Sequence, residues 1–245
     1  MMPFGIALQF LSTLPVQLKR MPTPKENAQS LLFYPIIGLL MGLVLFGIVT
    51  LLHALPMILL TVIVSVLWIW MSGGLHLDGL ADTADAWVGG FGDAERTLNI
   101  MKDPSCGPIG VLSLIMVCMI KFVSVYIILQ QQQSLALILF PILGRLCPLF
   151  LFLSTNYVRQ KGLGSAMAEH LPKMWASIMI IAGLLMCLIF SWVGIFTALI
   201  AIFSLVYLRH KFIQRIGGIT GDTVGASIEI VEAVSIFSFA CVLFY

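Results

Sequence analysis

Three aspartates, Asp78, Asp82 and Asp85, stand at i, i+4 and i+7 in the segment SGGLHLDGLADTADA, which runs from Ser72 to Ala86. A helix brings all three carboxylates to one face, within about 10 Å along its axis. Carboxylates this close repel one another unless a cation lies between them. Oxygen-only ligation at such spacing suits Mg2+ or Mn2+ rather than zinc. Gly79, Ala81 and Ala84 leave room for a substrate phosphate to approach the helix. The plainer alternative is three carboxylates facing water, but no basic residue lies four positions from any of them. His76, just before Asp78, is open to three readings: a further ligand, a base, or a positioning residue at the helix entrance.

A second polar cluster is GGITGDTVGA, from Gly217 to Ala226. Its glycines, Gly221 among them, permit close backbone approach and positive φ. Thr220 and Thr223 can donate hydrogen bonds, and Asp222 can join a metal site or orient a hydroxyl. Equally, the segment is a glycine-rich turn capped by Asp222 at the start of a helix. Basic side chains that can hold a diphosphate are Lys102, Arg159, Lys161 and Arg215, with Gly162 and Gly164 beside two of them. Lys121, Arg145, Glu229 and Glu232 fall within apolar stretches, where a charge must find a partner or a polar cavity. Arg145 is expected to pair with Glu229 or Glu232, as a structural bridge or as the lining of a cavity.

The elements that must position these residues are set by composition. Of 245 residues, 60% are hydrophobic and 10% charged, against about 25% charged in soluble domains. Several apolar stretches reach the roughly 20 residues that cross a bilayer as a helix. They lack the alternation of a membrane barrel, and a bilayer leaves no backbone polar group unpaired. An all-α polytopic membrane bundle follows, read as one integral membrane catalytic domain over 1–245. About seven spans are expected, near 31–53, 57–72, 107–129, 135–154, 174–190, 193–208 and 223–245. The run from Pro3 to Pro15 reads as a short interfacial helix and the aspartate segment as an acidic helix at the cytoplasmic face. Eleven of the 13 Lys and Arg fall in alternate loops on one side, which predicts an inside N-terminus with every polar cluster facing the cytoplasm. A net charge of +2 with no basic cluster argues against nucleic acid, and the five cysteines lack disulfide or zinc spacing.

With these residues in view, the chain resembles the cobalamin (5′-phosphate) synthase family, also called adenosylcobinamide-GDP ribazoletransferase. The resemblance rests on QFLSTLP (Gln9 to Pro15), FYPIIG (Phe33 to Gly38) and above all GGLHLDGLADTAD (Gly73 to Asp85). MKD (Met101 to Asp103), Arg145, RQKGLG (Arg159 to Gly164), the segment from Gly217 to Ala226 and Glu229 extend it. Ala86 stands where family members often have glycine, and Lys102 and Pro104 depart from a usual Met-Arg-Asp-Ser.

The resemblance implies a late step of vitamin B12 assembly in a bacterial or archaeal cytoplasmic membrane. Adenosylcobinamide-GDP and α-ribazole, or its 5′-phosphate, would be joined with release of GMP and a need for Mg2+. Asp78, Asp82 and Asp85 would hold the metal, Asp222 or else His76 would serve the attacking hydroxyl, and Lys102 and Arg159 would steady the departing phosphate. Arg145, Lys161, Gly162, Gly164, Thr220, Gly221, Thr223 and Glu229 complete the expected substrate-binding set. The lipid bilayer is the other expected partner, and self-association is left open. Two rivals are weighed. A CDP-alcohol phosphotransferase also carries an Asp-Gly-x-x-Ala segment but usually continues with Arg and further aspartates at wider spacing, which this chain lacks. A transporter would place its carboxylates near mid-membrane.

Overall fold

The computed structural model describes residues 2–159 and 163–244, and among them the structure is helical apart from one isolated bridge. The first helices are α1 (Met2–Leu11) and α2 (Pro24–Ser30), and a short 3-10 turn carries α2 into α3 (Tyr34–Leu51). Next come α4 (Met57–Ser72), α5 (Leu75–Gly89), α6 (Ala94–Ile100) and α7 (Pro108–Gln130). A second 3-10 turn, Ser134–Ile138, opens α8 (Leu139–Ser154), followed by α9 (Leu163–His170) and α10 (Lys173–Leu185). A third, Met186–Phe190, extends α10, and α11 (Ser191–Ile216) and α12 (Gly221–Val242) follow.

Five helical runs are long and apolar enough to cross a bilayer: 24–51, 108–130, 134–154, 173–216 and 221–242. The protein is thus an integral membrane helical bundle. The expectation of about seven spans differs from this count in two places. The 44-residue run 173–216 turns back at Ser191, whose φ of 53° and ψ of −139° break the helix. Ile180 and Leu184 of α10 line the same apolar cavity as Ala201 and Leu205 of α11. A straight helix would hold Ile180 and Leu205 about 37 Å apart, so the run makes two passes. The other place is α4, with 16 residues, which joins α5 at an 84° bend. Gly73 and Gly74, both left-handed at φ 65° and 74°, make that bend, a conformation that costs residues with a Cβ far more than glycine. The bend takes α5 out of the line of α4 and packs it against α12 and α7.

The bundle is organised around two helices. In the apolar windows of the 134–154 run and of α12, 83% and 72% of residues are buried, against 22% for α7 and 17% for 173–216. The outer helices therefore present apolar side chains to lipid, as a bilayer requires. Close approach at the centre depends on small residues. A Cβ added at Gly38 or Gly42, one helical turn apart on α3, would strike the backbone of Pro141 or Ile138.

Candidate active site

Four segments meet at the polar end. The first is α5 with its three aspartates. Asp78 is exposed, while Asp82 and Asp85 are half-buried. The second is the start of α12. Thr220 caps it: its hydroxyl accepts from the Thr223 amide at 3.2 Å, and the Thr223 hydroxyl accepts from the Thr220 amide at 2.8 Å. The helix is therefore capped by Thr220 rather than by Asp222. Both threonines are buried with their hydroxyls engaged in the cap, so they shape the turn and leave Asp222 free to face the site. Gly79 lets α5 and α12 touch, since a Cβ there would lie 2.8 Å from the Asp222 carbonyl oxygen.

The third segment is the stretch after α8. Tyr157 and Ile219 form a parallel bridge, in which the Val158 amide donates to the Ile219 carbonyl and the Ile219 amide to the Asn156 carbonyl, each at 2.9 Å. This zips the loop to the turn before α12 and brings the Arg159 guanidinium to 2.5 Å from the Asp222 carboxylate. The fourth is the loop entering α7. Asp85 accepts from the amides of Gly107 at 2.7 Å and Gly110 at 2.8 Å, so it caps a helix N-terminus from a distance, where backbone donors and the helix dipole favour an anion.

Carboxylates crowd one another at this end. Burial, then the carboxylates of Asp78, Asp222 and Asp85, push Asp82 up to about 6, and Arg159 opposes the shift. Among the described residues no group of three or more His, Cys, Asp and Glu is arranged as a metal cage. Mg2+ seldom uses one: one or two carboxylates, several waters and substrate phosphates are its usual shell. Asp78 and Asp82 fit that pattern, and Asp85 keeps a second lone pair on each oxygen. Lys102 is exposed on the loop after α6, next to Met101, whose sulfur packs 3.8 Å from the Thr220 hydroxyl. Lys161 and Gly162 lie outside the described residues.

The charges within the bundle form a separate network. Arg145 pairs with Glu232, and Lys121 bonds Glu229 and Glu232 at 2.6 Å each. All four are buried. The expected partner of Arg145 is thus one of the two glutamates weighed, and no local pattern joins Lys121 to both. Arg145 and Glu229, expected to bind substrate, face each other's network rather than open space.

A cavity of about 200 Å³ opens beside Asp78 and Asp222 and is bordered by His76, Gly164 and Gly221. His76 is 3% exposed, and its Nδ1 has no hydrogen-bond partner. Gly164 is required there, because a Cβ would collide with the Tyr157 ring. Sequence reasoning missed the aromatic walls: Phe10 stacks on Tyr34 and Phe152 on Tyr157. Tyr157 lies two residues before Arg159, the only local signal that could have found it. It also missed what Arg215 does, which is to donate to the Trp87 carbonyl at 2.8 Å and the Thr97 hydroxyl at 3.2 Å. That fastens the end of α11 to α5 and α6.

Comparison with known proteins bears on the whole chain. The family described as cobalamin-5-phosphate synthase matches residues 3–240. The adenosylcobinamide-GDP ribazoletransferase of Acinetobacter baumannii (strain ACICU) is 58% identical over 245 residues, covering 100% of this chain and 99% of that protein. The protein of the same description from Pseudomonas fluorescens (strain Pf0-1) is 48% identical over 233 residues, 95% of this chain and 96% of its own. No solved structure matches the chain.

Proposed function

The chain belongs to the cobalamin-5-phosphate synthase family, and from that premise we propose that it joins adenosylcobinamide-GDP to α-ribazole, or to its 5′-phosphate, with release of GMP. The observation that carries the reading onto this chain's residues is the meeting of Asp78, Asp82, Asp222 and Arg159 at one end of the bundle. The CDP-alcohol and transporter readings fall away with family membership. The whole chain acts as one catalytic domain in a bacterial cytoplasmic membrane. The side that carries eleven of its 13 basic residues, the N-terminus included, faces the cytoplasm.

In the reaction a ribose hydroxyl oxygen attacks the phosphorus that bears the cobinamide arm. A new P–O bond forms, the P–O bond to the GMP phosphate breaks, and the hydroxyl proton is lost. Phosphoryl transfer needs positioning and neutralisation of charge more than covalent chemistry from the protein. Asp78 and Asp82, with the free lone pairs of Asp85, would hold Mg2+. Mg2+ bound there supplies the charge neutralisation that the diphosphate needs. Asp222 orients the hydroxyl and receives its proton. It is better placed than His76, because it faces the polar end while the His76 ring is buried. Arg159 holds the Asp222 carboxylate in place and presents its remaining donors to the departing phosphate, and Lys102 swings in from its exposed loop to do the same.

The test uses purified protein in lipid nanodiscs, supplied with both substrates and with Mg2+ or EDTA. GMP and the corrinoid product should form in equal amounts with Mg2+ and disappear with EDTA. Asp82→Ala should lose about three or more orders of magnitude in rate while keeping the wild-type melting profile. Product formation by folded Asp82→Ala at the wild-type rate would sink the metal assignment. No product from folded wild type would sink the reaction.

A further inference from the structure

The reaction just proposed uses the carboxylates and basic groups of the polar end and leaves the neighbouring cavity without a role. Two aromatic pairs stand among its apolar walls. Phe10 and Tyr34 stack with centroids 6.3 Å apart and planes 23° from parallel; Phe152 and Tyr157 stack at 5.9 Å and 20°. The pairs come from different parts of the fold, α1 with α3 and α8 with the loop after it. Faces of this kind favour a planar aromatic ligand, and stacking on them is tolerant of which ring arrives. At about 200 Å³ the cavity is smaller than sites that enclose a whole drug-sized molecule, so it takes one part of a ligand.

Two aromatic systems small enough to fit take part in the reaction: guanine of the donor and the fused-ring base of the acceptor nucleoside. Guanine presents a row of donors and acceptors along its edges, and burying them unpaired is costly. With the Asp78 and Asp222 carboxylates given to the reaction, the cavity offers guanine's O6 and N7 acceptors no Ser, Thr, Asn, Gln, Lys or Arg among the described residues, and its side-chain donors are His76 and the hydroxyls of Tyr34 and Tyr157. A benzimidazole nucleoside has one unsubstituted ring nitrogen and is otherwise apolar. A single donor matches it. The buried imidazole of His76 borders the cavity, and its Nδ1 lacks a partner. A half-turn of that ring exchanges Nδ1 with Cδ2 and leaves its footprint unchanged. The ribose then lies between base and reacting oxygen, and Asp78 and Asp222 border the same cavity.

We propose that this cavity holds the benzimidazole-type base of the acceptor nucleoside between the two aromatic pairs, with His76 hydrogen-bonded to its one free ring nitrogen. The ribose hydroxyl then emerges beside Asp222. This rests on the ribazoletransferase reading, and the test separates the two by measuring binding without turnover. Wild-type protein in nanodiscs, in EDTA and without donor, is titrated calorimetrically with α-ribazole, benzimidazole and guanosine. α-Ribazole and benzimidazole should compete for one site and guanosine should not. Phe152→Leu and Phe10→Leu should each weaken α-ribazole binding about tenfold or more. Both keep an apolar side chain; Phe10 is 40% exposed on α1, whereas Phe152 is buried, so its variant is titrated after thermal unfolding shows it folded. With Mg2+ and both substrates, KM for α-ribazole should rise by a similar factor, and KM for adenosylcobinamide-GDP should stay within about twofold. If wild type turns over but fails to bind α-ribazole in EDTA, the cavity assignment is overturned while the reaction stands. Unchanged binding in both variants, or displacement by guanosine, has the same effect. If wild type binds α-ribazole as described yet forms no product, the reaction fails and the cavity assignment survives as a nucleoside site.

Discussion

Asp82 lies among the Asp78, Asp85 and Asp222 carboxylates, with Arg159 the opposing charge among the described residues, so on the proposed reading its proton and a cation compete for the same oxygens. Its pKa is raised to about 6. The carboxylate is therefore ionised above that pH and lost to protonation below it. At limiting Mg2+, kcat/KM is expected to fall as pH drops through about 6, and raising Mg2+ should move that acid limb to lower pH. A limb that ignores Mg2+ would remove Asp82 from the metal site. Arg159 is the other residue whose chemistry is specific. Its short contact with Asp222 uses one edge of a planar group that carries five donors. Arg159→Lys keeps the charge and loses the fork, so kcat should fall about tenfold to a hundredfold with KM for α-ribazole little changed. Arg159→Ala should fall further.

At the scale of elements, the site depends on how closely α5 meets α12 and how firmly α7 begins. Gly79→Ala places a methyl 2.8 Å from the Asp222 carbonyl, so one helix must shift. Activity should drop about a hundredfold while the melting temperature changes by only a few degrees. Asp85→Ala leaves the Gly107 and Gly110 amides without their acceptor. It should lower stability by about 1–2 kcal/mol, a loss Asp82→Ala should not share, which thermal unfolding of the two variants checks. The sequence carries α5 plainly, through the 4-then-3 spacing of its aspartates, and α12 through the glycine-rich turn before it. It does not show that Asp85 reaches 22 residues along the chain to cap α7, or that Thr220 rather than Asp222 caps α12. Capping partners distant in sequence leave no local pattern. At the start of α12, Thr, Asp and Thr at nearby positions all satisfy the same rule.

For the whole molecule the buried network is the main constraint. Lys121, Arg145, Glu229 and Glu232 link α7, α8 and α12 with balanced charge. Removing one member leaves an uncompensated charge in the bundle, so Lys121→Met should cost about 3–5 kcal/mol. Lys121→Met with Glu229→Gln leaves Arg145 paired with Glu232, and that double variant should unfold at a higher temperature than Lys121→Met alone. Equal or lower stability of the double variant would show that the network does not act as a balanced unit. Orientation is tested at the same scale in a cysteine-free background. A cysteine at Gln131 should react with impermeant maleimide on intact spheroplasts, and one at Arg96 only after lysis.

The sequence by itself determined the solvent and the chemistry. Composition and run length require membrane helices, because lipid leaves no backbone polar group unpaired. The aspartate spacing requires a shared face, because 3.6 residues make a helical turn. Only the tertiary structure decided which distant residues meet: Arg159 with Asp222, Lys121 with both glutamates, and Phe10, Tyr34, Phe152 and Tyr157 around one cavity. These contacts arise where helices cross, and the crossings are set by small residues such as Gly38, Gly42 and Gly79 and by the double-glycine bend before α5. A periodicity records which face of a helix is apolar, but not which neighbour will cover it.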